Sequence, residues 1–135
     1  MIVMVCIDNN NGMLFNHRRQ SQDRILREDM VRMIETGTLW MNSYSKKQFS
    51  NTGSVEVLVD EEYLEKAGVG DFCFVEDKDI CAYKDRIEKV ILYKWNRVYP
   101  ADTFFTLHLQ GWELENLEEF AGSSHKKITK ETYKK

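Results

Sequence analysis

KVILYKWNRVYPADTFF, residues 89–105, is the longest β-rich run in the chain, and the rest is read outward from it. Val90, Ile91, Leu92 and Tyr93 follow one another without a polar break, and Trp95 stands just past Lys94. A run of that kind and length is a strand with both faces covered, because a half-solvated strand would alternate. Pro100, the chain's single proline, lacks an N–H and ends the run. Asp102-Thr103-Phe104-Phe105 then opens a second extended segment.

Toward the C-terminus, Thr106 to Gln110 and Gly111 lead to Trp112-Glu113-Leu114, a polar turn around Gly122-Ser123-Ser124, and a last extended segment from Lys127 to Tyr133, expected at the sheet edge. Toward the N-terminus, Ile2 to Ile7 is a Val-rich apolar run of strand length closed by Asp8-Asn9-Asn10-Asn11-Gly12, a loop sequence. Ser21 is placed to cap a helix whose Leu26, Met30, Met33 and Ile34 share one face, with Gly37 as its stop. Leu39-Trp40-Met41 and Val55 to Val59 read as strands. Asp60 is placed to cap a helix over residues 61–67 ending at Gly68, and Phe72 to Val75 reads as a further buried strand. Strand and helix signals alternate, so the fold class is α/β: a mixed, mostly parallel central sheet flanked by helices, with an antiparallel C-terminal hairpin.

Length bounds this reading: 135 residues make one domain, residues 1–135, with a single core. A net charge of −3 gives no general attraction to nucleic acid or to anionic membranes. Cys6, Cys73 and Cys81 lack metal or redox spacing and read as free thiols in a reducing compartment. The first ten residues carry no basic stretch, and the apolar run Ile2 to Ile7 has only six residues, so a cytoplasmic protein without leader or membrane span is expected. His17, His108 and His125 stand apart in sequence, which gives no zinc-hydrolase spacing, and there is no P-loop and no Gly-x-Gly-x-x-Gly. His17 with Arg18, Arg19 and Lys46 could form the basic surface of a metal-independent ribonuclease, although scattered basic residues are commonly just solvated faces.

A strand of this type followed by a short polar link and an Asp-Thr-Phe-Phe segment, then a Trp-Glu strand, resembles the C-terminal half of dihydrofolate reductase. Ile2 to Gly12 is similar to that family's first strand and its glycine-bearing loop. The resemblance implies a substrate site lined by Ile7, Gly12, Phe15, Arg18, Leu26 and Thr103. Gln20-Ser21-Gln22-Asp23 aligns with the start of the helix that carries the family's pterin-binding carboxylate, which makes Asp23 the catalytic candidate. A carboxylate walled by apolar side chains would have a raised pKa and could relay a proton, whereas the bland reading is an acid serving the helix dipole. Asn42-Ser43-Tyr44-Ser45-Lys46-Lys47 resembles the strand-to-helix turn that seats cofactor phosphates, implying a set of Asn42, Ser43, Ser45, Lys46 and Lys47. Two exposed lysines on a surface helix need no ligand, however.

Where the family places Gly-Gly beside the NADPH pyrophosphate, this chain has Glu76-Asp77. A like-charge pair about 5 Å apart is repelled by roughly 3 kcal/mol at an effective dielectric near 20, large beside the ~8 kcal/mol of a micromolar complex. NADPH is therefore implied by the resemblance and disfavoured by Glu76 and Asp77. Ser43 in place of an arginine and a shortened segment between Val59 and Gly70 point the same way. The reading is a small-molecule site of pterin or nucleotide type, belonging to a reductase if the chain is an enzyme. The alternative is a non-catalytic ligand- or partner-binding protein on the same fold. A ribonuclease or RNA-binding role stands third.

Overall fold

A computed structural model describes residues 1–135. In chain order it contains β1 (Ile2–Ile7), β2 (Gly12–Phe15), β3 (Arg18–Arg19), α1 (Arg24–Ile34), β4 (Thr38–Met41), α2 (Ser43–Lys46), β5 (Glu56–Val59), α3 (Tyr63–Lys66) and β6 (Phe72–Phe74). A 3-10 helix (Cys81–Arg86), β7 (Lys89–Lys94), β8 (Thr103–Phe104), β9 (Glu113–Phe120) and β10 (Ile128–Lys134) follow. Seven strands form one sheet in the order β5-β4-β6-β1-β7-β10-β9. The first five run parallel, and β10 is antiparallel to both β7 and β9.

The expected strand over 89–94 lies between β1 and β10, with Val90 to Tyr93 all buried. Its uninterrupted apolar run follows from this double coverage. Val3, Val5, Ile7, Val90 and Leu92 face one core with Tyr63 and Leu64, while Met4, Ile91, Tyr93 and Trp95 face a second core under Leu26, Met30 and Ile34 of α1. Alternate side chains of a strand point to opposite faces, so β1 separates the two cores.

Several boundaries differ from expectation. The cap of α1 is Asp23 rather than Ser21, with extended backbone and a carboxylate that accepts from the N–H groups of Ile25 and Leu26. The helix stops at Ile34, where Glu35 at φ 62° turns its N–H back to the Val31 carbonyl. The helix expected over 61–67 shrinks to Tyr63–Lys66, and Asp60 accepts from Glu62 N ahead of it. The C-terminal segment is not the edge: β10 is flanked on both sides, and β9 takes the edge position.

Beyond the expected loop over residues 8–12, residues 12–19, for which no strand is expected from sequence, form a β-hairpin. Leu14 pairs with Arg19 and Phe15 with Arg18, leaving Asn16-His17 as a two-residue turn, and β8 pairs on the other side of β2. Asn16 at φ 53° and His17 at φ 60° give the left-handed pair that matches strand twist. Histidine holds that conformation at a cost that glycine does not carry. His17→Gly should therefore stabilise the fold by roughly 0.5–1 kcal/mol, read as a higher urea midpoint at unchanged slope.

Candidate functional site

Asp23 is 2% exposed, yet its carboxylate is ionised, because six donors converge on it. Oδ1 accepts from Ile25 N at 2.9 Å, Leu26 N at 3.2 Å and Ser123 N at 3.0 Å. Oδ2 accepts from Ser124 N at 2.9 Å, Ser124 Oγ at 3.1 Å and His125 Nδ1 at 3.2 Å. Burial by itself raises the pKa of Asp23. The N–H groups of Ser123 and Ser124, His125 and Leu26 outweigh it and hold the carboxyl well below the usual carboxylate range. The raised pKa expected from apolar walls is thus reversed by hydrogen bonding that the sequence does not display. Gly122 is what lets the β9–β10 turn come so close: a Cβ there would sit 2.3 Å from Asp23 Oδ2.

His125 continues the network. Its ring stacks on Trp95 with centroids 4.5 Å apart, and Nε2 lies 3.2 Å from Ser21 Oγ and 3.0 Å from Tyr99 Oη. Nδ1 also lies 3.0 Å from Ser124 Oγ; a carboxylate can only accept, so the tautomer that suits Asp23 has its proton on Nδ1 and its Nε2 lone pair toward the two hydroxyls. Beside this group, buried Asp8 accepts from Asn10 N, Gly12 N, Gln20 Nε2 and Tyr99 N. These bonds hold its pKa below the ordinary value despite burial.

The second half of the site is built on Glu76, just beyond β6. Arg19 grips it with Nε–Oε2 at 2.9 Å and Nη2–Oε1 at 3.1 Å, and Ser45 Oγ and Gln48 Nε2 donate to Oε1 at 2.8 and 3.1 Å. The Arg19 guanidinium also sits 4.3 Å over the Tyr44 ring. Both oxygens of Asp77 accept from Asn42 Nδ2, while burial pushes the Asp77 pKa up. Asn42 Oδ1 caps α2 by accepting from Ser45 N, and Glu61 accepts from Ser43 N. Two of the N–H groups at this helix start, those of Ser43 and Ser45, are thus taken by side chains of the chain itself. Lys46 bonds the Phe49 carbonyl at the other end of the turn, and Lys47 is exposed.

Between Asp23 and Glu76 lies a cavity of about 10 Å³, room for one water, bounded by Cys6, Met13, Arg19, Gln20, Ser21, Leu26, Gln48 and Trp95 among others. Gln20 Oε1 is buried on this wall without a partner. Arg27 and Gln48 are shared with a groove of about 190 Å³ between α1 and residues 48–51. Of the expected residues, Asp23 and Leu26 line the cavity. Ile7 belongs to the opposite core, and it is Cys6 that faces Asp23. Phe15 and Arg18 line a separate groove beside Tyr99 and Pro100, Gly12 packs against Gln20 and Ala101, and Thr103 pairs with Leu14. Asn42 and Ser45 reach the site only by holding Asp77 and Glu76, and Ser43, Lys46 and Lys47 do not line it.

Sequence reasoning missed Gln48, Trp95, Tyr99 and His125 as site residues and assigned Arg19 to a basic surface with His17, Arg18 and Lys46, whereas it grips Glu76 on the cavity wall. His125 stands 102 positions from Asp23, and no local spacing reveals such a pair. Asp23 ionises at lower pH in the folded chain than the ~3.9 of an unfolded one. Its contribution is fully present above about pH 4 and lost as pH falls further. Asp23→Asn should lower Tm by roughly 6–12 °C, from about 2–3 kcal/mol, and flatten the acid limb of a stability–pH curve measured in urea. Glu76→Ala strands Arg19 and should cost about 3–5 kcal/mol by the same assay.

No protein-family model and no curated protein matches the chain. Among solved structures, dihydrofolate reductase from Enterococcus faecalis complexed with NADP(H) and RAB-propyl superposes with a TM-score of 0.68. The match covers 98% of this chain and 94% of that chain at 10% sequence identity. An agreement of that extent at that identity is one of backbone course. The sheet order, the parallel strands and the antiparallel C-terminal pair give this chain a dihydrofolate-reductase-like fold.

Proposed function

We propose that this chain binds a small molecule of pterin or nucleotide type in the cleft beside Asp23, and that it does so without NADPH-dependent reduction. The observation that carries this reading is the placement of Glu76. Its carboxylate is fixed by Arg19, Ser45 and Gln48 at the end of β6, where the resembled family brings bare backbone to a pyrophosphate. A buried carboxylate there occupies the place of a phosphate, keeps Arg19 from serving as a phosphate ligand, and cannot swing away cheaply, since doing so would strand Arg19.

Two features support a ligand in what remains of the cleft. Gln20 Oε1 is a buried acceptor in want of a donor, and a ligand N–H or O–H would relieve it. Arg27 stands where the water-sized cavity meets the groove along α1, so an anionic tail would find a cation there. The oxidoreductase reading keeps one support, the fold likeness to a reductase complexed with NADP(H).

Titration with NADPH, dihydrofolate and nucleoside monophosphates, followed by Trp95 and Trp40 fluorescence, tests the proposal. Saturation by dihydrofolate or a mononucleotide at micromolar concentration is expected, weakened about tenfold or more in Arg27→Ala. NADPH should not saturate below about 100 μM. Low-micromolar NADPH binding would restore the reductase reading, and no saturation by any of the three would leave the partner-binding alternative.

A further inference from the structure

We propose that Ser21, His125 and Asp23 form a hydroxyl-activating centre for acyl transfer from small esters or thioesters, a chemistry that needs no nicotinamide. The inference does not depend on the pterin or nucleotide reading. It stands on geometry: Asp23 Oδ2 lies 3.2 Å from His125 Nδ1, and His125 Nε2 lies 3.2 Å from Ser21 Oγ. These are the distances and the order of a carboxylate, an oriented base and a nucleophile.

Each part is held in place by something else. The ring plane is fixed by stacking on Trp95. The Nδ1–H tautomer is the one that suits Asp23, whose remaining acceptor sites are filled by backbone N–H groups and the Ser124 hydroxyl, so the carboxylate stays ionised and oriented. Ser21 is half-buried, has no other hydrogen-bond partner, and lies on the wall of the water-sized cavity. Arg19 is on the same wall, and its Nη1 is left over from the pairings with Glu76 and Tyr44. A carbonyl oxygen fits the cavity, which the Arg19 side chain helps to bound. The bulk of a larger acyl group does not fit, which restricts the acyl part to a short chain.

In the reaction, Ser21 Oγ attacks the carbonyl carbon while its proton passes to His125 Nε2. Asp23 holds the resulting imidazolium, and Arg19 faces the tetrahedral oxyanion. As the intermediate collapses, the bond to the alcohol or thiol breaks and the leaving group takes the proton from Nε2. Water then attacks the Ser21 ester, delivering its proton to Nε2. The acid departs, and Ser21 recovers its hydroxyl proton. Tyr99 competes with Ser21, because Nε2 has one lone pair and two hydroxyls in reach.

The test is phosphonylation by a small fluorophosphonate, read by intact mass and peptide mapping, with a thermal scan to confirm folding of every variant. One adduct on Ser21 is expected in the wild type, none in Ser21→Ala, and a rate at least about 100-fold lower in His125→Gln. Tyr99→Phe removes the competing hydroxyl and should speed labelling about two- to tenfold, which serves if His125→Gln does not fold. No adduct on the wild type, an adduct on another residue, undiminished labelling of folded His125→Gln, or labelling of Tyr99→Phe no faster than wild type would overturn the proposal.

Discussion

The carboxylate of Asp23 holds two distant parts of the chain together. Its six donors come from the first turn of α1 and from the turn between β9 and β10, about a hundred residues away. That turn is further tied by Arg24 N to Ser123 Oγ and by Ser124 Oγ to the Gln22 carbonyl, and it carries His125 into the core against Trp95. A protonated or neutral side chain at position 23 keeps one good acceptor oxygen but turns the other into a donor or a poor acceptor, so the donors gathered on that side are left unpaired, each costing about 1–3 kcal/mol. Helix capping, turn conformation and the placement of the histidine therefore share one negative charge.

Glu76 plays a matching role at the other end of the cavity, with a different balance of forces. A buried ion pair contributes little net stability over an apolar replacement but is costly to half-remove. Here Glu76 joins three elements that the sheet alone does not tie together: the β2–β3 hairpin through Arg19, α2 through Ser45, and the segment after α2 through Gln48. What the cleft lacks in hospitality to a pyrophosphate it has gained as a closed electrostatic joint.

Much of the sheet was legible from sequence because burial writes itself into local pattern. The run from Val90 to Tyr93 is apolar because both faces are covered, and the apolar stripe of α1 has helical period because one face is covered. The hairpin over 12–19 was not legible, since its turn is made by Asn16-His17 rather than a glycine-bearing pair and its strands are short. Side-chain facing was legible only in part: Asp23 and Leu26 were placed together, but Ile7 and Cys6 exchanged roles by one step of strand alternation. His125, Ser21 and Tyr99 converge through tertiary packing alone, and single-sequence spacing carries no trace of such a meeting.

The strand order has a kinetic meaning. β1 pairs with β7 in a register that puts Ile2 opposite Lys89, so the two innermost strands come from segments separated by most of the chain. β9 reaches the sheet only through β10. Closing so long a loop costs entropy before any contact repays it, and folds dominated by such pairings cross their barrier in milliseconds to seconds rather than microseconds. The hairpin over 12–19 can form locally and early. The Asp23–His125 contact cannot, because the residues that supply it meet only when the sheet is assembled, so the site is among the last features to appear as the chain folds.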